Sequence, residues 1–176
     1  MPLFFGRKST MVYTLIGMPG SGKSCMSRAV GKTLNVKALD SDRLIENRAG
    51  KKLHEIIKES GVDGLKKIEE EVLLTIDSED DLILATGGSA VYYERAMEHF
   101  KSVGRVIYLY VSYETMIERI GDYSKRGIAI RPDQTIRDLY NERSALYEKY
   151  ADVTVNCDGN DYYTYRKNVI KAIKGV

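Results

Sequence analysis

Short, largely apolar runs alternate along the chain with longer segments in which apolar residues recur every three or four positions. The short runs predict buried strands, whereas the three-four spacing predicts amphipathic helices. On this basis we predict strands at 12–16, 36–39, 82–86, 105–111 and 153–157. Helices are predicted at 23–34, at 43–60 with a break near Gly50, and at 62–78, 94–100, 113–120, 135–150 and 162–173.

Largely apolar strands that alternate with helices are typical of a parallel sheet covered on both faces, because parallel strands need crossover connections. We therefore predict an α/β fold in which helices lie on either side of one sheet. In such sheets ligands bind beyond the carboxyl ends of the strands. The residues that follow each strand are consequently the first candidates for chemistry.

Composition excludes several other classes of protein. A length of 176 residues, of which 43% are hydrophobic and 30% charged, is that of one domain. The net charge of +2 leaves no basic stripe for nucleic acid, and no apolar run approaches the roughly 20 residues that cross a membrane. Cys25 and Cys157 lie far apart without metal-ligand spacing, which fits a reducing compartment. We expect a cytoplasmic protein without nucleic-acid or membrane partners.

The first ten residues precede the periodic pattern and end in four polar residues, RKST. We expect residues 1–10 to be a flexible extension, or a leader ahead of an alternative start at Met11. Residues 11–176 are then expected to form a single domain.

The segment GMPGSGKS directly follows the first predicted strand and opens the first helix, which is the context of a phosphate-binding P-loop. Gly17, Gly20 and Gly22 allow backbone N–H groups to curl around a polyphosphate. Lys23 can reach the β and γ oxygens, and the Ser24 hydroxyl can bind Mg²⁺. A merely flexible glycine-rich turn fits this context poorly. The sequence therefore predicts binding of a nucleoside triphosphate.

Two carboxylates follow the second predicted strand, at the same edge of the sheet as the P-loop. Phosphoryl transfer to an alcohol needs a group that holds the metal and a group that accepts the hydroxyl proton. Asp40 and Asp42 could divide these roles. The alternative is structural, with Ser41 or Asp42 capping the helix that follows.

A glycine pair, Gly87 and Gly88, follows the third predicted strand. The missing side chains would let a substrate approach the backbone closely. A turn that requires positive φ explains the pair equally well.

Two arginines stand out near the end of the chain. Arg143 shares a helical face with apolar residues, and a buried cation needs an anionic partner, either an internal carboxylate or that of a ligand. Arg131 lies with Lys125 and Arg126 in an irregular segment that could close over the nucleotide and bring a positive charge to the transferring phosphoryl group. The alternative for this segment is a solvated basic loop.

Together these motifs resemble the shikimate kinase family. The resemblance covers nearly the whole chain and rests on the P-loop and on the segments DSD, GG, RP and RSALY, which contain Asp42, Gly88, Arg131 and Arg143. It implies a P-loop NTPase fold, a three-layer α/β/α structure with a five-stranded parallel sheet and a mobile lid at about 121–133. It also implies ATP-dependent, Mg²⁺-assisted phosphorylation of the 3-hydroxyl group of shikimate. We expect a monomer whose partners are ATP and this small acceptor.

The resemblance also implies roles for individual residues. Those on the nucleotide side are Gly17, Gly20, Ser21, Gly22, Lys23, Ser24, Cys25 and Arg119. Arg119 would pack on adenine, the loop 158–161 would border the other side of the base, and Cys25 is also expected to be packed within the first helix. The metal would be held by Ser24 and Asp40. The acceptor would be bound by Asp42, Lys66, Gly87, Gly88 and Arg143. Catalysis would fall to Asp42 as the base, with Lys23 and with Arg131 as the phosphate clamp.

Three positions depart from the usual family pattern, all on the acceptor side. Lys66 stands where an Arg usually grips the acceptor carboxylate, so the charge remains but the planar two-pronged geometry is lost. Ser89 replaces a third glycine, and Asp133 replaces an apolar residue. The acidic run 69–71 is expected to be mostly solvated, with Glu69 able to orient Lys66. These departures leave another small sugar acid or polyol open as the acceptor.

A catalytically silent nucleotide-binding regulator is the alternative of a different class. No Asn-Lys-x-Asp sequence for guanine recognition occurs in the chain, which argues against a GTPase switch. Asp42 favours an enzyme, because a chain without catalysis would not need an acid at that position.

Overall fold

A computed structural model describes residues 10–122, 128, 130–159 and 161–176. All but the last residue of the predicted extension 1–10 lies outside the described residues. So does the middle of the predicted lid, including Lys125 and Arg126, and so does Asn160 in the loop 158–161. In the part of the chain that is described, no helix combines the length and the apolar character needed to cross a membrane.

Five parallel strands form one sheet. They are β1 (Val12–Ile16), β2 (Lys37–Asp40), β3 (Leu82–Ala85), β4 (Gly104–Tyr110) and β5 (Val153–Asn156). Their order across the sheet is β2-β3-β1-β4-β5. Ala85 at the end of β3 pairs with both Asp40 of β2 and Leu15 of β1, so these three strands end nearly level. The P-loop, the segment 40–42 and the glycine pair consequently meet at one edge of the sheet.

Helices cover both faces of this sheet. They are α1 (Lys23–Leu34), α2 (Ser41–Ala49), α3 (Leu53–Leu74), α4 (Glu94–Val103), α5 (Tyr113–Ile120), α6 (Ile136–Tyr150) and α7 (Tyr162–Lys174). Helices α1 and α7 pack together on one face, and α4 and α6 pack on the other. Residues Leu15, Ile83, Leu84, Ile107 and Leu109 are fully buried, because strands covered on both faces lose water on both sides. The predicted three-layer α/β/α fold with five parallel strands is confirmed.

Helix α3 differs from its predicted boundaries. The predicted break at Gly50 is present, where φ is 66° and α2 ends. The second half of the predicted helix 43–60 instead continues into the predicted helix 62–78. Gly61, with φ 69° and ψ −177°, forms a kink between the two parts. A residue without a Cβ tolerates this conformation, so the chain bends at this point and α3 runs on to Leu74.

Candidate active site

The P-loop joins β1 to α1, and its path depends on three glycines. Gly17, Gly20 and Gly22 have φ values of 149°, 81° and 90°, a region that residues with a Cβ rarely occupy. The loop leads into the N-terminus of α1, where the unpaired N–H groups and the helix dipole favour a phosphate. This geometry fits the predicted phosphate cradle.

Lys23 is folded back into this loop. Its Nζ donates hydrogen bonds to the carbonyl oxygens of Gly17 at 2.7 Å and Met18 at 2.8 Å. Burial lowers the pKa of Lys23 to about 8, against the attraction of Asp42. When a polyphosphate binds, the ammonium group of Lys23 would exchange two neutral carbonyl partners for charged phosphate oxygens. Hydrogen bonds to charged acceptors are stronger.

Ser24 and Asp40 lie in contact beside the loop. The Ser24 hydroxyl donates to Asp40 Oδ2 at 2.7 Å, while Asp40 Oδ1 accepts from the backbone N–H of Asp42 at 3.1 Å and caps α2. The alternative that Ser41 or Asp42 caps α2 was thus wrong, because α2 begins at Ser41 and its N-cap is Asp40. A hydroxyl and a carboxylate oxygen are ligands that Mg²⁺ prefers, so the pair fits the predicted metal role.

Asp42 lies against the glycine pair. A Cβ at Gly87 would be 2.9 Å from Asp42 Oδ1, and the Ser41 hydroxyl oxygen accepts from Gly87 N–H at 3.1 Å, which ties the two strand ends together. Burial raises the pKa of Asp42, the charge of Asp40 raises it further, and that of Lys23 opposes both. Asp42 is therefore a more basic carboxylate than an exposed aspartate.

Gly88 makes room for a second functional side chain. A Cβ there would be 2.8 Å from Arg143 Nη1, and its carbonyl oxygen accepts from the Tyr147 hydroxyl at 2.7 Å. Neither Gly87 nor Gly88 has a positive φ, so the explanation by a left-handed turn was wrong. The missing side chains at Gly87 and Gly88 allow other groups to lie close to the backbone, but these groups are the side chains of Asp42 and Arg143 rather than a substrate.

Arg143 is 4% exposed, as its helical face predicted. Its guanidinium carbon lies 5.4 Å from the centroid of the Tyr92 ring. Within the described part of the chain, its Nε has no hydrogen-bond partner and no carboxylate forms an ion pair with it. Glu69 and Glu142 both interact electrostatically with Arg143 without a direct ion pair. An internal carboxylate and a ligand carboxylate therefore both stay predictions as partners of this buried cation.

Two adjoining cavities surround these residues. The P-loop cavity, of about 670 Å³, is lined by residues that include Lys23, Ser24, Asp42, Gly88, Arg119 and Arg143. The side cavity, of about 520 Å³, is lined by residues that include Lys66, Glu69, Ser89, Tyr92, Tyr93, Arg131 and Arg143. The two cavities share Leu65, Glu69, Ser89 and Arg143 and therefore adjoin each other.

The side cavity combines cations with apolar and aromatic walls. Lys66, Arg131 and Arg143 contribute three positive charges, and Glu69 is the one carboxylate among the described residues that line it. A few polar groups on an otherwise apolar wall are typical of small-molecule sites. This composition suits a small anion that also carries hydroxyl groups.

Comparison with known proteins identifies the family. A family model described as Shikimate kinase matches residues 19–174. The shikimate kinase of Mannheimia succiniciproducens is 31% identical over 90% of this chain and 93% of its own, and that of Haemophilus influenzae is 35% identical over 82% of each. The chain belongs to the shikimate kinase family.

Solved shikimate kinases share the fold. The enzyme of Acinetobacter baumannii in complex with shikimate has a TM-score of 0.84 and 29% identity, over 95% of this chain and 94% of its own. The enzyme of Aquifex aeolicus has a TM-score of 0.82 and 28% identity, over 94% and 97%. This likeness supports the P-loop NTPase fold and a phosphotransferase that acts on a hydroxyl group with ATP as co-substrate.

Arg131 lies on the acceptor side of this shikimate kinase site. It lines the side cavity and is not among the described residues that line the P-loop cavity. Its Nη2 donates to Glu142 Oε2 at 3.1 Å, and its side chain is 63% exposed. Its contact with the transferring phosphate stays a prediction.

Arg119 joins the P-loop to the loop after β5. Its Nη1 donates to the carbonyl oxygen of Gly20 at 3.3 Å, and its Nη2 donates to those of Cys157 at 2.7 Å and Gly159 at 2.6 Å. These bonds hold the guanidinium at the wall of the P-loop cavity. Its packing on adenine, as the family resemblance implies, stays a prediction.

Cys25 is exposed and lines the P-loop cavity, so the expectation that it is packed was wrong. The next two residues, Met26 and Ser27, occupy the buried side of α1 at this level. Cys25 therefore lies on the open side of the first turn, and its contact with the nucleotide stays a prediction.

Glu69 is a second residue of the site whose exposure the sequence analysis predicted wrongly. It is 7% exposed rather than solvated, and it accepts hydrogen bonds from the hydroxyls of Tyr93 and of Ser89, the latter at 3.4 Å. Burial raises its pKa. The signal was present in the helical spacing, because Glu69 follows Leu65 by four positions and precedes Val72 by three, on the apolar stripe of α3.

Proposed function

We propose that the protein transfers the γ-phosphoryl group of ATP to the 3-hydroxyl group of shikimate. The observation that carries this proposal is that the two cavities adjoin, one formed around Lys23 and Asp42 and both lined by the buried Arg143. ATP bound at the P-loop would have its terminal phosphate beside a cavity suited to a small hydroxylated anion. The shikimate in the complex of the Acinetobacter baumannii relative supports this choice of acceptor.

On the nucleotide side, the P-loop N–H groups would bind the phosphates, and Lys23 would exchange its two carbonyl partners for phosphate oxygens. Ser24 and Asp40 would hold Mg²⁺, since their oxygens already lie 2.7 Å apart. When bound, Mg²⁺ neutralises charge on the phosphate oxygens. Arg119 would border the adenine.

Asp42 is the proposed base. Its raised pKa makes it a better proton acceptor than an exposed aspartate. It would take the proton from the acceptor hydroxyl while that oxygen attacks the γ-phosphorus, and ADP would leave with the bridging oxygen. Lys23 and Arg131 would stabilise the charge on the transferring group.

On the acceptor side, Arg143 would pair with the carboxylate of shikimate through a guanidinium that now lacks a partner at Nε. The backbone N–H of Gly88 and the ammonium group of Lys66 would add to this binding. A monomer, a single kinase domain at 11–176 and a lid at about 121–133 stay predictions. A cytoplasmic location without nucleic-acid or membrane partners stays a prediction.

A second acceptor class is favoured by two residues of the side cavity. Lys66 is exposed and lacks the two-pronged geometry of an arginine, and Ser89 adds a hydroxyl group that already reaches Glu69. These changes would suit another small sugar acid or polyol, with the same chemistry of transfer.

The test is the release of ADP from Mg-ATP by the purified protein, with shikimate and with a panel of sugar acids and polyols. Stimulation by shikimate supports the proposal. Turnover only with another acceptor would show that the enzyme acts on a sugar acid or polyol instead of shikimate. No turnover with any acceptor would favour a nucleotide-binding regulator.

Asp42→Asn is the matched variant for the mechanism. It keeps the shape of the side chain but removes the base, so kcat should fall by at least about 100-fold, within the range ascribed to general base catalysis. The dissociation constant for ATP should change little. Equal losses in turnover and in ATP binding would contradict the assignment of Asp42 as the base.

A further inference from the structure

Glu142 accepts three hydrogen bonds at the rim of the side cavity. Its Oε1 accepts from the Tyr92 hydroxyl at 2.6 Å. Its Oε2 accepts from Arg131 Nη2 at 3.1 Å and from Gln134 Nε2 at 3.2 Å. One carboxylate on α6 thus connects the turn after β3 to the segment that precedes α6.

The three donors line the side cavity, whereas Glu142 does not. Glu142 therefore contacts residues of the cavity wall and would not contact an acceptor bound in the cavity. Arg131, whose side chain is 63% exposed, is long and would sample many rotamers without a partner. The ion pair with Glu142 restricts that freedom.

The same carboxylate is linked to the buried cation of the site. Tyr92, which donates to Glu142, also places its ring 5.4 Å from the guanidinium carbon of Arg143. Glu142 thus binds two side chains that line the side cavity with Arg143, of which Tyr92 also contacts Arg143.

We propose that Glu142 is a positioning residue for acceptor binding. It holds Arg131 in the wall of the side cavity, which Lys66 and Arg143 also line. Three cations then face the anionic group of the acceptor before it binds. The proposal rests on the proposed function for the identity of the acceptor, but the placement of Arg131 does not depend on it.

The first test is the kinetics of Glu142→Gln. The amide keeps the size and can still accept from Tyr92, but it loses the charge that attracts Arg131. Because exposed ion pairs change equilibria by roughly 1.5- to 5-fold, the KM for shikimate should rise about three-fold and the KM for ATP should stay unchanged. Because Arg131 is also the proposed phosphate clamp, kcat should fall by no more than about five-fold. Glu148→Gln is the matched control, since this exposed glutamate on the same helix lines neither cavity.

The second test does not require activity. Phenylglyoxal attacks the neutral form of a guanidinium group, and the carboxylate of Glu142 raises the pKa of Arg131. Peptide mass spectrometry should therefore show that Arg131 is modified about three-fold faster in Glu142→Gln than in the parent, as expected from the strength of an exposed ion pair. Arg137, which pairs with Glu114 at 3.3 Å, is the internal control and should not change.

The outcomes separate the two proposals. Faster modification of Arg131 together with a higher KM for shikimate supports the role of Glu142. An unchanged modification rate, or an unchanged KM, would overturn it, as would equal effects of Glu148→Gln. If the parent does not phosphorylate shikimate, the proposed function is wrong, and the modification rate alone decides whether Glu142 holds Arg131.

Discussion

Replacing Gly88 with alanine tests whether Arg143 anchors the acceptor. The added Cβ would lie 2.8 Å from Arg143 Nη1, 3.3 Å from Pro19 Cδ and 3.5 Å from the Tyr147 hydroxyl oxygen. The first contact is too short to persist, and the guanidinium group is the end of a flexible side chain, so Arg143 would move. The backbone itself should tolerate alanine, because Gly88 has no positive φ.

This displacement should reduce acceptor affinity more than stability. Losing one charge-assisted hydrogen bond costs about 1.5 to 3 kcal/mol, which corresponds to a rise of about 10- to 150-fold in the KM for shikimate. The groups proposed to hold the nucleotide, Lys23 and Ser24, are not among the three atoms nearest the new methyl group, and Pro19 of the P-loop, at 3.3 Å, needs to shift by only a few tenths of an ångström. The KM for ATP should therefore stay nearly constant.

The assay is ADP release measured against each substrate in turn, with thermal unfolding to confirm that the variant is folded. Gly87→Ala is the matched variant, because its Cβ would meet Asp42 Oδ1 at 2.9 Å instead of Arg143. We expect Gly87→Ala to lower kcat and Gly88→Ala to raise the KM for shikimate. A folded Gly88→Ala variant with unchanged KM, or two variants with the same kinetic defect, would refute this reasoning.

Two further predictions concern the lysines of the site. Lys66→Arg should lower the KM for shikimate by up to about ten-fold, because a planar guanidinium can make a second hydrogen bond to a carboxylate; steady-state kinetics check this, and an unchanged or higher KM would count against shikimate contacting this residue. ATP binding should weaken as the pH rises above 8, because Lys23 has a pKa of about 8 in the free protein and phosphate favours its protonated form. Above that pH each unit should raise the dissociation constant of ATP by up to about ten-fold, and a flat calorimetric profile between pH 8 and about pH 9.5 would contradict the role of Lys23.

The main parts of the site could be predicted because their signals are local. The P-loop is a contiguous motif between a strand and a helix, and Asp40 and Asp42 directly follow a strand. The inward position of Arg143 follows from the period of α6 alone. The positions of these residues were predicted either because ligands bind beyond the carboxyl ends of parallel strands or because the helical period places the residue on a buried face. Neither prediction requires knowledge of the partners of the residue.

The residues that were missed depend on partners far away in the chain. Ser89 reaches Glu69 across 20 positions, and Tyr92 reaches Glu142 across 50. A charge run such as 69–71 looks solvated when it is taken as a whole. The helical spacing indicates that Glu69 is its buried member, but only the packing of α3 against the segment after β3 shows that Ser89 and Tyr93 are its partners. The side cavity is formed by such long-range contacts, so no short sequence motif predicts the hydrogen bonds in its wall.

In the proposed function, the glycine pair would place the groups that bind the two ends of the acceptor at one short segment of backbone. Gly87 admits Asp42, the proposed base, and Gly88 admits Arg143, the proposed carboxylate partner. Because the two positions are consecutive, the separation between the reacting hydroxyl and the carboxylate of the acceptor is constrained by the backbone at the end of β3. A change of acceptor that kept this separation would have to be accommodated elsewhere in the side cavity. Lys66 and Ser89 lie there, so their departures from the family pattern should change affinity for the acceptor more than the rate of transfer.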